Sequence, residues 1–143
     1  MRLAAGFARD RFAAARVARL ATVSPDTRPH VVPIVFAVSG DVIYSAVDRK
    51  PKATTALQRL ADIAVNPEVA ILVDHYDDDW DALWWARADG TARLADGDEA
   101  ARAVALLTSR YPIYATDVPP GPVIAVDVTR WSGWAATGRP HPR

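Results

Sequence analysis

The chain contains no cysteine, which excludes disulfides, thiolate zinc sites, cysteine-ligated iron–sulfur clusters and thiol nucleophiles. It also lacks an excess of either charge. Lys plus Arg is 17 and Asp plus Glu is 17, whereas a dedicated nucleic-acid or membrane-surface protein draws its affinity from surplus positive charge. No apolar run approaches the roughly 18 residues needed to span a bilayer, and Arg9, Asp10 and Arg11 break the apolar start, so a cytoplasmic protein is expected. Lysine is nearly missing. Among the 17 basic residues 15 are Arg, and the two lysines sit together as Lys50-Pro51-Lys52, the only compact, flexible ammonium groups available. What remains, 50% hydrophobic and 24% charged over 143 residues, fits one domain with an ordinary core. Residues 1–137 are expected to form it, with 138–143 a polar, proline-rich tail.

Ala4, Ala8, Phe12 and Ala15 recur at helical spacing, predicting an amphipathic helix from Leu3 to Arg16. Strands are expected from Val17 to Val23, through His30 to Val38, and from Val42 to Val47, with turns at Ser24–Pro29 and Ser39-Gly40-Asp41. Pro33 lacks a backbone donor, so its strand should have an edge or bulge there. A second helix, Ala53 to Ala64, would turn Ala53, Leu57, Leu60, Ala61 and Ala64 to the core and stop at Asn66-Pro67. Val69–Val73 and Leu83–Ala88 read as strands around the acidic stretch Asp74–Asp81. Asp89-Gly90 is either a tight hairpin or a bulge within one strand reaching Leu94. Asp96-Gly97-Asp98-Glu99 has the spacing of a capping box before a helix carrying Ala100, Ala103, Val104, Leu107 and Tyr111, ended by Pro112. A last strand spans Pro122 to Thr129 and leads to Trp131 and Trp134. Hairpins outnumber helical crossovers, and no Gly-x-Gly-x-x-Gly follows a strand, so the order favours an antiparallel barrel or sheet decorated by helices.

Lys50 and Lys52 precede a helix whose first turn holds Thr54 and Thr55. Unpaired amides and the helix dipole can make such a place a phosphate site, although the spacing alone favours a solvated basic turn. Asp74-His75-Tyr76-Asp77-Asp78-Asp79 offers metal ligands but lacks a nearby second histidine and the glycine and glutamate of a calcium loop. It reads as a solvated loop in which Asp78 or Asp79 caps a turn. No serine lies in a nucleophile elbow, and neither a catalytic side chain nor a metal site is expected. Alternation puts Trp85 and Arg87 on one face and Trp84 and Ala86 on the other, so one tryptophan should face inward.

Arg28–Phe36, Tyr44–Lys52 and Asn66–Val69 together resemble the pyridoxamine-phosphate-oxidase-like flavoproteins, and Asp74–Trp80 with Leu83–Arg93 is similar to an actinobacterial branch that depends on the deazaflavin coenzyme F420. The resemblance implies a split antiparallel β-barrel with mostly β structure and helices, a homodimer, and Asp89-Gly90 within one bent strand. It implies cofactor binding by Lys50, Lys52, Thr54, Thr55, His30, Pro33, Ser45, Ala46 and Val47, with Trp131 or Trp134 covering the partner's cofactor. Arg28, Arg49, Arg59 and Arg87 would serve the anionic tail of F420. The implied activity is hydride transfer from reduced deazaflavin to a small organic substrate. The alternatives are an FMN-binding oxidoreductase of the same family and a non-catalytic flavin- or haem-type binding protein.

Overall fold

Alternation of apolar with polar residues produces seven strands, and the sheet they form curls because its two edges are neighbours in the chain. The structure, a computed structural model, describes residues 1–47, 53–119 and 121–137, with only the backbone of 53–57. The elements are α1 (Ala5–Ala14), β1 (Ala18–Val23), β2 (Pro29–Ile34), β3 (Ala37–Ser39), β4 (Val42–Ala46), α2 (Ala53–Val65), β5 (Glu68–His75), β6 (Trp84–Ala95), α3 (Gly97–Arg110) and β7 (Val123–Ala135). Single 3-10 turns lie at Trp80–Ala82 and Pro112–Ala115. Every strand pair is antiparallel, in the order β2-β1-β5-β6-β7-β4-β3. This is the expected split antiparallel barrel.

The predicted run from His30 to Val38 is two strands. Val35 and Phe36 carry the chain from β2, one edge of the sheet, to β3, the other edge. A period-two pattern cannot reveal this, because the run stays apolar across the jump. Pro33 lies in the edge strand, as its missing amide requires.

The barrel interior takes Ala18 and Leu20 from β1, Val69, Ile71 and Val73 from β5, and Ala86, Ala88 and Ala92 from β6, all buried. The small side chains of β6 leave room for α1 to insert Phe12, whose ring lies 5.0 Å from Phe36 and 5.3 Å from Trp131. Gly133 permits this insertion: a Cβ there would sit 2.9 Å from the Trp85 carbonyl oxygen and 3.2 Å from the Ala8 Cβ. Helix α1 is shorter than predicted at both ends. The residues before it join the sheet instead, with Arg2 bridging to Trp134 and the Leu3 amide donating to Gly133 O at 2.9 Å.

Helix α3 packs on the outer face of β3, β4 and β7, where Ala103 and Leu107 meet Ala37, Tyr44, Ala46, Val123 and Ala125. Its predicted apolar spacing is confirmed and Pro112 ends it, but the capping box does not form: Asp96 occupies the N-cap without a side-chain bond. Glu99 is held elsewhere. Arg93 grips it bidentately at 2.6 and 2.9 Å while donating from Nε to Asp127 at 2.7 Å, and the Tyr44 hydroxyl donates to Glu99 at 2.8 Å. A charge-assisted fork from β6 outcompetes a lone backbone amide for the same carboxylate.

Asp89-Gly90 lies within one long strand, as the resemblance implied, and the hairpin is excluded. The register between β6 and β7 shifts there: Asp89 faces Arg130 and Gly90 faces Val128, so the extra residue, Thr129, is in β7. A Cβ on Gly90 would collide with the Asp127 carbonyl oxygen. Strand β7 also runs past its predicted end at Thr129 to Ala135, because β6 continues to pair with it.

The Arg93 fork and the Tyr44 hydroxyl hold the Glu99 carboxyl at about 2, against an ordinary 4.5. A lowered carboxyl pKa contributes stability above the unfolded value that is lost as pH falls through the folded one. The melting temperature of wild type should therefore exceed that of Glu99→Gln at neutral pH, and the gap should close between about pH 4.5 and about pH 2. A pH-independent gap in thermal melts would show that the ion pair adds no pH-linked stability.

Candidate functional site

Strand β4 ends at Ala46 and helix α2 begins at Ala53, so the segment carrying both lysines joins a strand end to a helix start. Lys50 and Lys52 lie outside the described residues, as does Arg49. Thr54 and Thr55 fall in the first turn of α2. That turn has no acidic residue, which suits a helix end meant to receive an anion.

Pleating divides the three predicted residues at the end of β4 and just beyond it. Ser45 and Val47 face the barrel interior with Ile43, and the Ser45 hydroxyl donates to Val35 O at 2.9 Å. Ala46 is turned to the opposite face, in the cluster beneath α3. Pro33 is exposed on the edge strand, in the outward row it shares with Arg19 and Leu72.

Trp134 stands apart from these residues. The start of β7 pairs with Ala46, whereas Trp134 comes eleven residues later and pairs with Trp85, roughly 36 Å further along the strand contour. One copy of the chain therefore does not bring Trp134 to the start of α2. Trp131 is used in the core against Phe12, and its Nε1 donates to Asp41 at 2.9 Å. Of the two adjacent tryptophans, the one that packs on the core is Trp84, and Trp85 faces out, where the Arg87 guanidinium lies 5.6 Å from its ring.

The candidate arginines are not gathered into one groove among the described residues. Arg28 pairs with Asp26 at 3.2 Å in the β1–β2 turn, Arg87 pairs with Asp89 at 3.2 Å on the outer face, and Arg59 is on α2. Asp79 caps the Trp80 turn by accepting from the Asp81 amide at 3.1 Å. No group of three potential metal ligands occurs among the described residues.

His30 is the predicted site residue with the most developed surroundings. It pairs with Thr22 across β1 and β2, and its Nδ1 lies 3.3 Å from Oδ2 of Asp62, a residue of α2 that is 0% exposed. Asp62 also accepts from the Thr22 hydroxyl at 2.8 Å and from Gln58 Nε2 at 2.8 Å. The predicted inward face of α2 thus needs correction: Ala61 and Ala64 are exposed, while Asp62 and Ile63 are buried. A signal existed, since Gln58 and Asp62 are spaced i, i+4 and so share one helix face. A polar line within an apolar helix marks a buried polar contact when a hairpin offers Thr and His opposite one another.

A family model described as pyridoxamine 5′-phosphate oxidase matches residues 6–135. No curated protein matches the chain. Among solved structures, a conserved hypothetical protein from Mycobacterium tuberculosis is 21% identical with a TM-score of 0.75, covering 99% of this chain and 91% of that one. A FAD-binding protein from Mesorhizobium loti is 20% identical with a TM-score of 0.68, over 93% and 95%. A haem-binding protein from Mycobacterium smegmatis is 21% identical with a TM-score of 0.74, over 92% of this chain and 54% of that one.

Removing the Thr22 hydroxyl leaves a buried carboxylate short of a donor, a loss that costs about 1–3 kcal/mol. Thr22→Val should lose that much stability in urea denaturation, and Thr22→Ser should retain most of it. Equal stability of Thr22→Val and wild type would mean that Asp62 is satisfied without it.

Proposed function

This chain belongs to the pyridoxamine 5′-phosphate oxidase family, and on that premise we propose that it is an F420-dependent reductase, passing a hydride from the reduced deazaflavin to a small organic acceptor. The observation that carries this reading is the junction between β4 and α2: residues 48–52, which include both lysines, lead into a helix whose first turn bears no acid. Amides, threonines and two ammonium groups suit the phosphate that F420 and FMN share. When bound, the tricyclic ring supplies the hydride chemistry, and the protein has to bind, orient and shield it. F420 is favoured by the likeness of Asp74–Trp80 and Leu83–Arg93 to the deazaflavin branch. The FAD-binding structural relative favours a second reading, an FMN-type flavin, and the haem-binding one supports a binding protein without turnover.

The reading includes a homodimer. The outer face of β2, β1, β5 and β6 is covered by no helix among the described residues, and its rows run Pro33, Arg19, Leu72, Arg87, Ser132 and Val31, Ala21, Ala70. Val31 is 64% exposed, Leu72 38% and Trp134 39%. The Ser132 hydroxyl on this face is buried with no hydrogen-bond partner among the described residues. A second copy seated here would bring its own Trp134 toward a site that one copy cannot supply with it.

Titration of the purified chain should show F420 binding more tightly than FMN, with affinity falling as salt rises. Lys50→Ala or Lys52→Ala should weaken binding about ten- to a hundredfold, the loss of one charge-assisted hydrogen bond, whereas Arg102→Ala on α3 should bind as wild type does. Equal or tighter FMN binding would install the flavin reading, and lysine variants that bind like the control would move the phosphate elsewhere.

Sedimentation velocity at micromolar concentration should give a dimer for wild type and a monomer for Leu72→Glu. A wild-type monomer would overturn the shared site.

A further inference from the structure

We propose that the acidic, aromatic loop of residues 76–81 is a docking surface and that its occupant is residues 138–143 of the same chain. Neither the cofactor nor a second copy enters into this contact.

The loop between β5 and β6 carries the two most exposed aromatic side chains among the described residues, Tyr76 at 76% and Trp80 at 71%. Apolar surface rimmed by polar groups is the mark of an interaction site. Here the rim has one sign. Asp74, Asp77, Asp78, Asp79 and Asp81 fall within eight residues that contain no lysine or arginine, in a chain whose total charge is zero. The loop is braced from within: the Asp79 amide donates to Asp77 at 2.9 Å, and Asp79 in turn accepts from the Asp81 amide at 3.1 Å. That bracing uses neither the Asp78 nor the Asp81 carboxylate, and among the described residues both are left for a partner. The occupant that fits is a segment carrying cations together with rings that can lie on Tyr and Trp.

The described chain arrives at this loop. Strand β7 ends at Ala135; the Ala136 amide then donates to Leu83 O at 2.9 Å, and the Thr137 hydroxyl donates to Asp81 O at 3.3 Å. Residue 138 therefore follows a residue bonded to the turn that presents Trp80. Residues 138–143 lie outside the described residues, and their sequence, Gly138-Arg139-Pro140-His141-Pro142-Arg143, complements the loop. Arg139 and Arg143 match the carboxylates in sign, and a guanidinium also stacks on a Trp or Tyr face. Pro140 and Pro142 have a fixed φ and so less freedom to lose on binding, and aromatic surfaces are what proline-rich segments dock on. Six residues span at most roughly 20 Å, whereas Asp78 is within roughly 11 Å of Asp81 and Tyr76 within roughly 18 Å along the chain. The whole loop is within reach of the segment.

Tethering favours this occupant over a separate basic peptide. Ion pairs at a surface are individually weak, and a free hexapeptide would lose its translational freedom to make only a few of them. Residues 138–143 start at the loop, with an effective concentration on the order of millimolar. Seating them would cover Trp80, neutralise part of the acidic rim and join the end of β7 to the β5–β6 connection.

Nitrogen-15 NMR compares the full chain with one ended after Thr137, with Trp80→Phe assigning the Trp80 indole signal among the five tryptophans. The Trp80 signal should differ between the two chains, and the signal of Trp131 in the core should coincide, which also checks that both are folded. In the full chain the backbone order parameters of Arg139 and His141 should exceed about 0.6, the level below which a backbone is flexible. They should fall below it in the double variant Asp78→Asn/Asp81→Asn, which leaves the Asp79 cap intact, and at about 0.5 M salt, where exposed charges are screened within a few ångströms. Order parameters already below that level in the full chain, a Trp80 signal indifferent to removal of residues 138–143, or order that survives both the double variant and the salt would each overturn the proposal. Order lost on about tenfold dilution would overturn it too, because a contact within one chain does not depend on concentration, and the loop would then belong to another copy's segment.

Discussion

The architecture depends on satisfying the backbone where the chain leaves one edge of the sheet for the other. At Val35 and Phe36 the strand ladder stops, and each buried carbonyl left without a donor would cost about 1–3 kcal/mol. Three side chains prevent this. Ser45 donates to Val35 O, Arg110 donates to Phe36 O at 2.8 Å and also to Ala15 O, and the Tyr111 hydroxyl serves both Phe36 O and the Phe36 amide. Burial lowers the Arg110 pKa from its ordinary value, yet Arg110 also lies 5.0 Å from the Phe36 ring, which favours a cation. Because Arg110 and Tyr111 end α3, the position of that helix is tied to the crossing, and Ser45 ties β4 to the same point.

Side chains from two helices enter the barrel interior. Phe12 enters from α1, Asp62 and Ile63 enter from α2, and Phe36 packs against Phe12. These side chains pack the interior among the described residues. This gives the two alanine-rich stretches opposite uses: in β6 they admit a helix, and in α3 they let the helix lie close to the sheet.

Local patterns were legible and long-range competition was not. The apolar spacing of Ala103 and Leu107, the stop at Pro112 and the turn at Ser39-Gly40-Asp41 follow from rules acting within a few residues, and the structure obeys them. Glu99 met the local rule for a capping box and lost to Arg93, which is near in space and supplies a bidentate fork. The strand through residues 30–38 read as one because hydropathy does not record which edge a strand joins. On the site, family motifs pointed to the lysine segment and to His30, but Asp62 became visible only when α2 was laid across the hairpin that presents Thr22 and His30. Thr22 and His30 come from two strands, and within α2 only the i, i+4 spacing of Gln58 and Asp62 hints at the contact.

Two open edges are an invitation to other strands, since unpaired amides and carbonyls can template a foreign chain. Here one edge, β2, carries Pro29 and Pro33 and so lacks amides at two positions, and the other, β3, is only three residues long. A strand from another molecule would find few donors on the first and little length on the second. The split in the barrel is thereby protected against fibrillar growth by strand addition, because neither edge offers a long run of free donors.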